Sequence, residues 1–248
     1  MIIIKSKREI DLMREPCKVT AEIFHDLEDF IRPGISTKDI DTLVENKYLK
    51  YKMAPTFKGY GGFPAAACVS VNEEIIHGIP SEHRILKEGD IVSVDIGGTW
   101  HGYNSDAART FPVGVISAED QNLIDVTRQS FFEGIKYAME GYRIHDIGHG
   151  VQVYAEAHGM GVIRDFTGHG TGSTLHEDPL IPNYGKPGTG AKIKRNMTLA
   201  VEPMLALGTY ECRTLGNNWT VVTLDGKKSA HYENTILITD GEPEILTL

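Results

Sequence analysis

Near its start the chain alternates apolar and polar positions at the three-to-four-residue period of an amphipathic helix. Ser6-Lys7-Arg8-Glu9 has capping-box spacing, and Ile10, Met13, Ile23, Phe24, Leu27 and Ile31 recur at helical intervals until Pro33-Gly34 stops the run. Ser36-Thr37-Lys38-Asp39 opens a second helix through Ile40, Leu43 and Val44. The same order returns downstream. Ser117-Ala118-Glu119-Asp120 begins a run through Ile124, Val126, Phe131, Phe132, Ile135 and Met139, Gly141 breaks it, and a further helix follows through Ile147 and Val151. Between the helical pairs the pattern shortens. Ile91 to Phe111 reads as strand, turn, strand, with Gly97-Gly98 and Gly102 supplying turn residues.

Gly34, Asp39, Ile40 and Val44 match Gly141, Asp146, Ile147 and Val151 at a constant shift of 107 (34 to 141), and the same shift carries Asp95 onto Glu202. This predicts an α+β fold made of a duplicated helix-helix-sheet unit. Its halves run roughly from 6 to 113 and from 114 to 248 and fold about a pseudo-twofold axis into a single domain, 1–248, with the acid-bearing sheets at the centre. No Pro/Gly/Ser-rich tract divides the chain into independent parts.

Composition narrows the function without naming it. Three cysteines, Cys17, Cys68 and Cys212, have no paired spacing, which points to a reducing, cytoplasmic setting. Met1-Ile2-Ile3-Ile4-Lys5 is too short for a signal peptide, and no apolar run reaches the length of a membrane span. The formal charge of −9, with 34 acidic against 25 basic residues and no Lys/Arg block, repels phosphate backbones and argues against DNA as a partner. An enzyme or a binding module remains.

Four carboxylates lie inside apolar runs: Asp95 within Ile91-Val92-Ser93-Val94-Asp95-Ile96, Asp106 close behind it, Glu202 within Val201-Glu202-Pro203-Met204, and Glu233 at the head of Glu233-Asn234-Thr235-Ile236. Desolvating such groups is expensive unless a cation or strong donors compensate. A hairpin turning at Trp100-His101 would set Asp95 directly opposite Asp106, where two like charges either share a proton or bind a cation between them. His169 lies in Gly168-His169-Gly170-Thr171-Gly172, whose glycines let the backbone approach another group closely. Singly, each of these residues reads as an ordinary turn, edge or loop residue. Together they form a hard, oxygen-rich set that suits two divalent ions better than a sulfur-lined zinc site. His25, His83, His101, His145, His149 and His158 read as surface, packing or turn residues.

These residues resemble the bacterial type I methionine aminopeptidases, of the pita-bread fold. The likeness covers nearly the whole chain, through Ser70-Val71-Asn72-Glu73, His77-Gly78-Ile79-Pro80, the Asp95/Asp106 pair, the glycine-framed His169, His176-Glu177, Val201-Glu202-Pro203-Met204, and Trp219-Thr220 ahead of Glu233-Asn234-Thr235. The resemblance implies an enzyme that removes N-terminal methionine from nascent proteins when the second residue is small, using two divalent ions (Co, Mn, Fe or Zn). It implies that Asp95 binds one ion, His169 and Glu202 the other, and that Asp106 and Glu233 bridge both. Glu202 would also carry the proton to the leaving amine, His176 would stabilise the oxyanion, and His77 would contact the peptide. Phe57, Tyr60, Phe63, Cys68, Leu175 and Trp219 would line a methionine pocket with His77 and His176. The chain departs from the commonest pattern at Phe63, Leu175 and Gly97, where tyrosine, phenylalanine and threonine are frequent. A monomer that meets nascent polypeptide N-termini, with transient ribosome contact and no membrane, is the expected setting. X-Pro aminopeptidases of the same fold and a metal-free binding module are the rival readings, and a flexible calcium loop is a poor match for acids within strands.

Overall fold

The computed structural model describes Met1–Leu248. Helices α1 (Lys7–Phe30) and α2 (Thr37–Lys50) each start at a complete capping box. The Ser6 hydroxyl accepts from the Glu9 amide while the Glu9 carboxylate accepts from the Ser6 amide, and Ser36 and Asp39 repeat the exchange. Each such cap contributes about 1 kcal/mol. Helix α3 (Ala118–Ile135) begins at Ser117, whose hydroxyl accepts from the Asp120 amide. In α4 (Ile144–Ala157) Asp146 accepts from the Arg143 amide.

The central sheet has eight antiparallel strands. They are β1 (Ala67–Val71), β2 (Ile91–Ile96), β3 (Ala107–Pro112), β4 (Gly168–Gly170), β5 (Glu177–Ile181), β6 (Thr198–Val201), β7 (Glu233–Leu237) and β8 (Glu244–Ile245). Their hydrogen-bonded order is β5-β4-β6-β7-β3-β2-β1, with β8 beside β7. Strands drawn from the first part of the chain thus meet those from the second at the β3–β7 pair.

Side chains alternate across the sheet, so one face can be apolar while the other is not. Val92, Val94, Ile96, Ala107 and Phe111 pack with Ile23, Phe24, Leu27, Ile40 and Val44 of α1 and α2. Leu199, Val201 and Ile236 pack in the same way with Phe131, Ile135, Ile144 and Ile147 of α3 and α4. The intervening residues Asp95, Ala108, Ala200, Glu233 and Thr235 point to the opposite face. Helix burial on one side therefore fixes which side carries the acids.

The hairpin between β2 and β3 turns one residue later than expected. Trp100 pairs with Tyr103, which leaves His101 and Gly102 as a two-residue turn, at φ of 48° and 81°. A type I′ turn needs positive φ at both central positions, and Gly102 meets that demand where Trp100 would not. Asp95 consequently faces Ala108, not Asp106. Asp106 lies two residues from Ala108 and so remains on the face that carries Asp95.

Candidate metal centre

Strand register assembles the acids in two neighbouring rows. Cys68, Asp95, Ala108 and Glu233 stand opposite one another across β1, β2, β3 and β7. Carried one residue past the end of β6, the register of β6 with β7 sets Glu202 beside Glu233, since Val201 faces Asn234. Two residues along the strands, Thr235, Ala200 and His169 form the second row. Asp106 joins it, because its amide donates to the Thr235 hydroxyl and its carbonyl accepts from it, at 3.1 and 2.8 Å. Ala108 and Ala200 take up little room, and the carboxylates close over them.

All five expected ligands come together. His169 Nε2 lies 3.4 Å from Asp106 and 3.6 Å from Glu202. His169 Nδ1 donates to the Gly170 carbonyl at 2.9 Å, which orients the ring with Nε2 toward the acids. Asp106, His169, Glu202 and Glu233 are buried, and Asp95 is half-buried. Burial, reinforced by the charge of Asp106, pushes the Asp95 and Glu233 carboxyls well above the usual carboxylate range. Burial also pushes Glu202 up to about 8, with His169 opposing and Asp106 assisting. Burial would lower His169, but its hydrogen bond to Asp106 and the charges of Glu202 and Asp106 outweigh that and raise it to about 9.

These groups fit a divalent cation. No lysine or arginine pairs with any of the four carboxylates. Asp95 Oδ1 and Glu233 Oε1 are buried without a hydrogen-bond partner. The donor atoms of Asp106, His169 and Glu233 lie within 4.8 Å of one another, as do those of Asp95, His231 and Glu233. Clustered carboxylate oxygens with imidazole nitrogens are the donors that divalent transition metals take, and a cation there offsets the mutual repulsion.

Above this floor opens a cavity of about 210 Å³. Its walls include every residue expected of the pocket: Phe57, Tyr60, Phe63, Cys68, His77, Leu175, His176 and Trp219. Phe57, Phe63, Cys68 and Leu175 form a small apolar cluster of their own, so they are packing residues and lining residues at once. Trp219 meets Phe63 edge-on at 5.1 Å. The Tyr60 hydroxyl bonds His176 Nδ1 at 2.7 Å, and the His176 ring lies 4.2 Å from that of His169. Burial and the His169 charge lower His176 to about 4, and burial lowers His77, so both are neutral near pH 7. His77 adopts φ of 58°, a backbone strain of the kind that concentrates at functional sites. Its neighbour must be glycine, since a Cβ on Gly78 would lie 2.2 Å from the Val69 carbonyl oxygen. Gly97 has a similar cause: a Cβ there would come 2.6 Å from the Ser105 carbonyl oxygen and 3.1 Å from the Phe57 ring.

Ile76, Gly61, Phe166 and Thr167 also line the cavity, beyond the residues that the sequence singles out. His231, buried beside Glu202 and Glu233, is likewise not among those residues. A weak signal does point to it: it precedes Glu233 by two residues, and in extended chain such residues share a face.

Metallopeptidase family M24 matches residues 11–240. A methionine aminopeptidase of Clostridium acetobutylicum is 55% identical over 100% of this chain and 99% of its own length. The crystal structure of a methionine aminopeptidase from Thermotoga maritima superposes with a TM-score of 0.98 at 46% identity, covering 100% of this chain and 99% of that one. A prolidase from Pyrococcus horikoshii shares the fold at a TM-score of 0.79, with 21% identity over 64% of its own length.

Proposed function

The chain belongs to the methionine aminopeptidases of metallopeptidase family M24, with their pita-bread fold, and from that premise we propose how its residues carry out N-terminal methionine removal. It is a metal-dependent hydrolase. The observation that carries the detailed reading is the placing of Asp95, Asp106, His169, Glu202 and Glu233 on one sheet face, at the floor of a cavity with apolar walls.

Asp95, Asp106, His169, Glu202 and Glu233 would together hold two divalent ions. Such ions, when bound, would supply a water activated at neutral pH and a Lewis acid for the scissile carbonyl. Glu202 accepts the proton of the attacking water and delivers it to the leaving amine. His176 acts as a neutral donor: with the Tyr60 hydroxyl, 2.7 Å from Nδ1, as the donor of that bond, Nε2 carries the proton and stabilises the carbonyl oxygen as charge develops. His77, held by its strained backbone, contacts the peptide close to the scissile bond. Phe57, Phe63, Cys68, Leu175 and Trp219 enclose the methionine side chain, whose flexible thioether suits a soft aromatic lining.

The substrates in this reading are nascent polypeptide N-termini with a small second residue, met by a monomer in the cytoplasm with transient ribosome contact. The three unpaired cysteines support a reducing compartment, and no helix is long and apolar enough to cross a membrane. Release of free methionine from Met-Ala-Ser and Met-Ile-Ser peptides, assayed with Mn, Co, Fe and Zn, tests the reading. Release from the first, little from the second and none by Asp106→Asn is the expected pattern. Cleavage of Ala-Pro peptides in place of both would replace it with an X-Pro specificity.

A further inference from the structure

Behind the five ligands stands a histidine to which the proposed mechanism gives no role. His231 ends the strand Ser229–His231, facing Met204 across the pair with Met204–Ala206. Its backbone is held firmly, because its amide donates to the Thr110 hydroxyl and its carbonyl accepts from it, both at 2.9 Å. The side chain is 2% exposed, yet neither ring nitrogen has a hydrogen-bond partner. An unsatisfied buried polar group costs about 1–3 kcal/mol. A fixed, buried imidazole facing carboxylates therefore requires a compensating partner.

The distances say what kind. His231 Nε2 lies 3.9 Å from Glu202 Oε2 and 3.8 Å from Glu233 Oε2. Those separations exceed hydrogen-bond length. Two donors each about 2.1 Å from one ion lie roughly 3 to 4 Å apart, so the spacing suits shared coordination. His169 stands in the same relation to Asp106 and Glu202, at 3.4 and 3.6 Å. The donor atoms of Asp95, His231 and Glu233 moreover lie within 4.8 Å of one another. We propose that His231 is a sixth protein ligand of this centre, closing its Asp95–Glu233 end with an imidazole nitrogen as His169 closes the Asp106–Glu202 end.

This inference rests on the metal-centre reading and adds a chemical consequence to it. With nitrogen at both ends, the centre favours cobalt and zinc over manganese more strongly than one with a single histidine, because imidazole suits the former while carboxylate and water suit manganese. The test uses the full chain, stripped by chelator and reloaded, with His231→Gln compared against His169→Ala. Calorimetric titration should show His231→Gln losing about 10- to 100-fold in Co(II) affinity at one site. Mn(II) affinity should change by less, and the visible Co(II) absorption should shift. Wild-type affinities and spectrum in His231→Gln, alongside weakened binding in His169→Ala, would overturn the inference and leave the metal centre standing. Unchanged binding in both variants would overturn both. X-ray absorption of the zinc-loaded wild-type chain decides the matter without a variant: two imidazoles per pair of ions support His231 as a ligand, and one refutes it.

Discussion

The floor of the cavity and its walls are built by different means. On the floor, Asp95, Ala108 and Glu233 share a cross-strand row, and Asp106, Thr235, Ala200 and His169 make up the next. Register fixes their spacing, and a slip of one residue would turn every proposed ligand into the helix-packed face. Apart from Cys68 and Ile76, which lie on strands, the walls come from irregular chain. Tyr60 and Gly61 belong to a single 3-10 turn, Leu175 and His176 lie between β4 and β5, and Trp219 precedes the strand Val221–Thr223. Tyr60 remains 44% exposed, whereas Glu233 is 2% exposed. In the proposed reading, metal chemistry is thus anchored where the fold has least freedom, and substrate selection rests on segments that can change without moving the floor.

The largest effect should come from breaking the floor. Asp106→Asn should keep its helical circular dichroism and lose at least about 100-fold in methionine release, with reduced metal uptake. Near-normal turnover would remove Asp106 from the centre. On the wall, His176→Ala should lower kcat by about 10²- to 10³-fold while metal content stays unchanged. Loss of metal in that variant would erase the distinction between the two regions.

A gentler probe uses pH on the chelator-treated chain. Glu202 is raised to about 8 from an ordinary 4.5, His169 to about 9 from 6.5, and Asp95 and Glu233 also move up. The folded state therefore holds protons that the unfolded chain has released, and their stabilising contribution disappears as pH rises through those values. His176 and His231 are lowered to about 4 and about 3, so they work in the opposite sense only below their ordinary 6.5. Tm should fall from pH 6.5 to 9 without metal and stay nearly level with it. A metal-free Tm that rises over this window would contradict the burial of the acids. The smallest effect belongs to Tyr60→Phe, which removes one hydrogen bond to His176 and should lower kcat about 3- to 10-fold with little change in KM. A change confined to KM would make Tyr60 a pocket wall only.

How far the sequence reached follows the same division. The capping residues Ser6 and Ser36 and the helical period announce α1 and α2, and carboxylates within apolar runs single out Asp95, Glu202 and Glu233, which the strand register brings to one sheet face. Local signals sufficed because each depends on neighbours in the chain. Symmetry about the two aspartates points to a β2–β3 turn at Trp100-His101, whereas backbone sterics at Gly102 set it one residue later. His231 carries little local signal because it ends one strand just before β7 begins at Glu233, so no single alternating run contains both. Ile76, Phe166 and Thr167 reach the cavity through tertiary packing that no local pattern announces. The pocket residues Phe57 and Leu175 came from resemblance, since a buried aromatic or leucine looks the same in a core as in a wall.

Anomalous diffraction from a crystal of the full chain soaked in manganese tests the central claim most directly. Two peaks should appear on the acid-bearing face of the sheet, each within bonding distance of side chains from both parts of the chain, with Asp106 and Glu233 touching both. A single peak held by surface carboxylates, or none near Asp95 and His169, would contradict it.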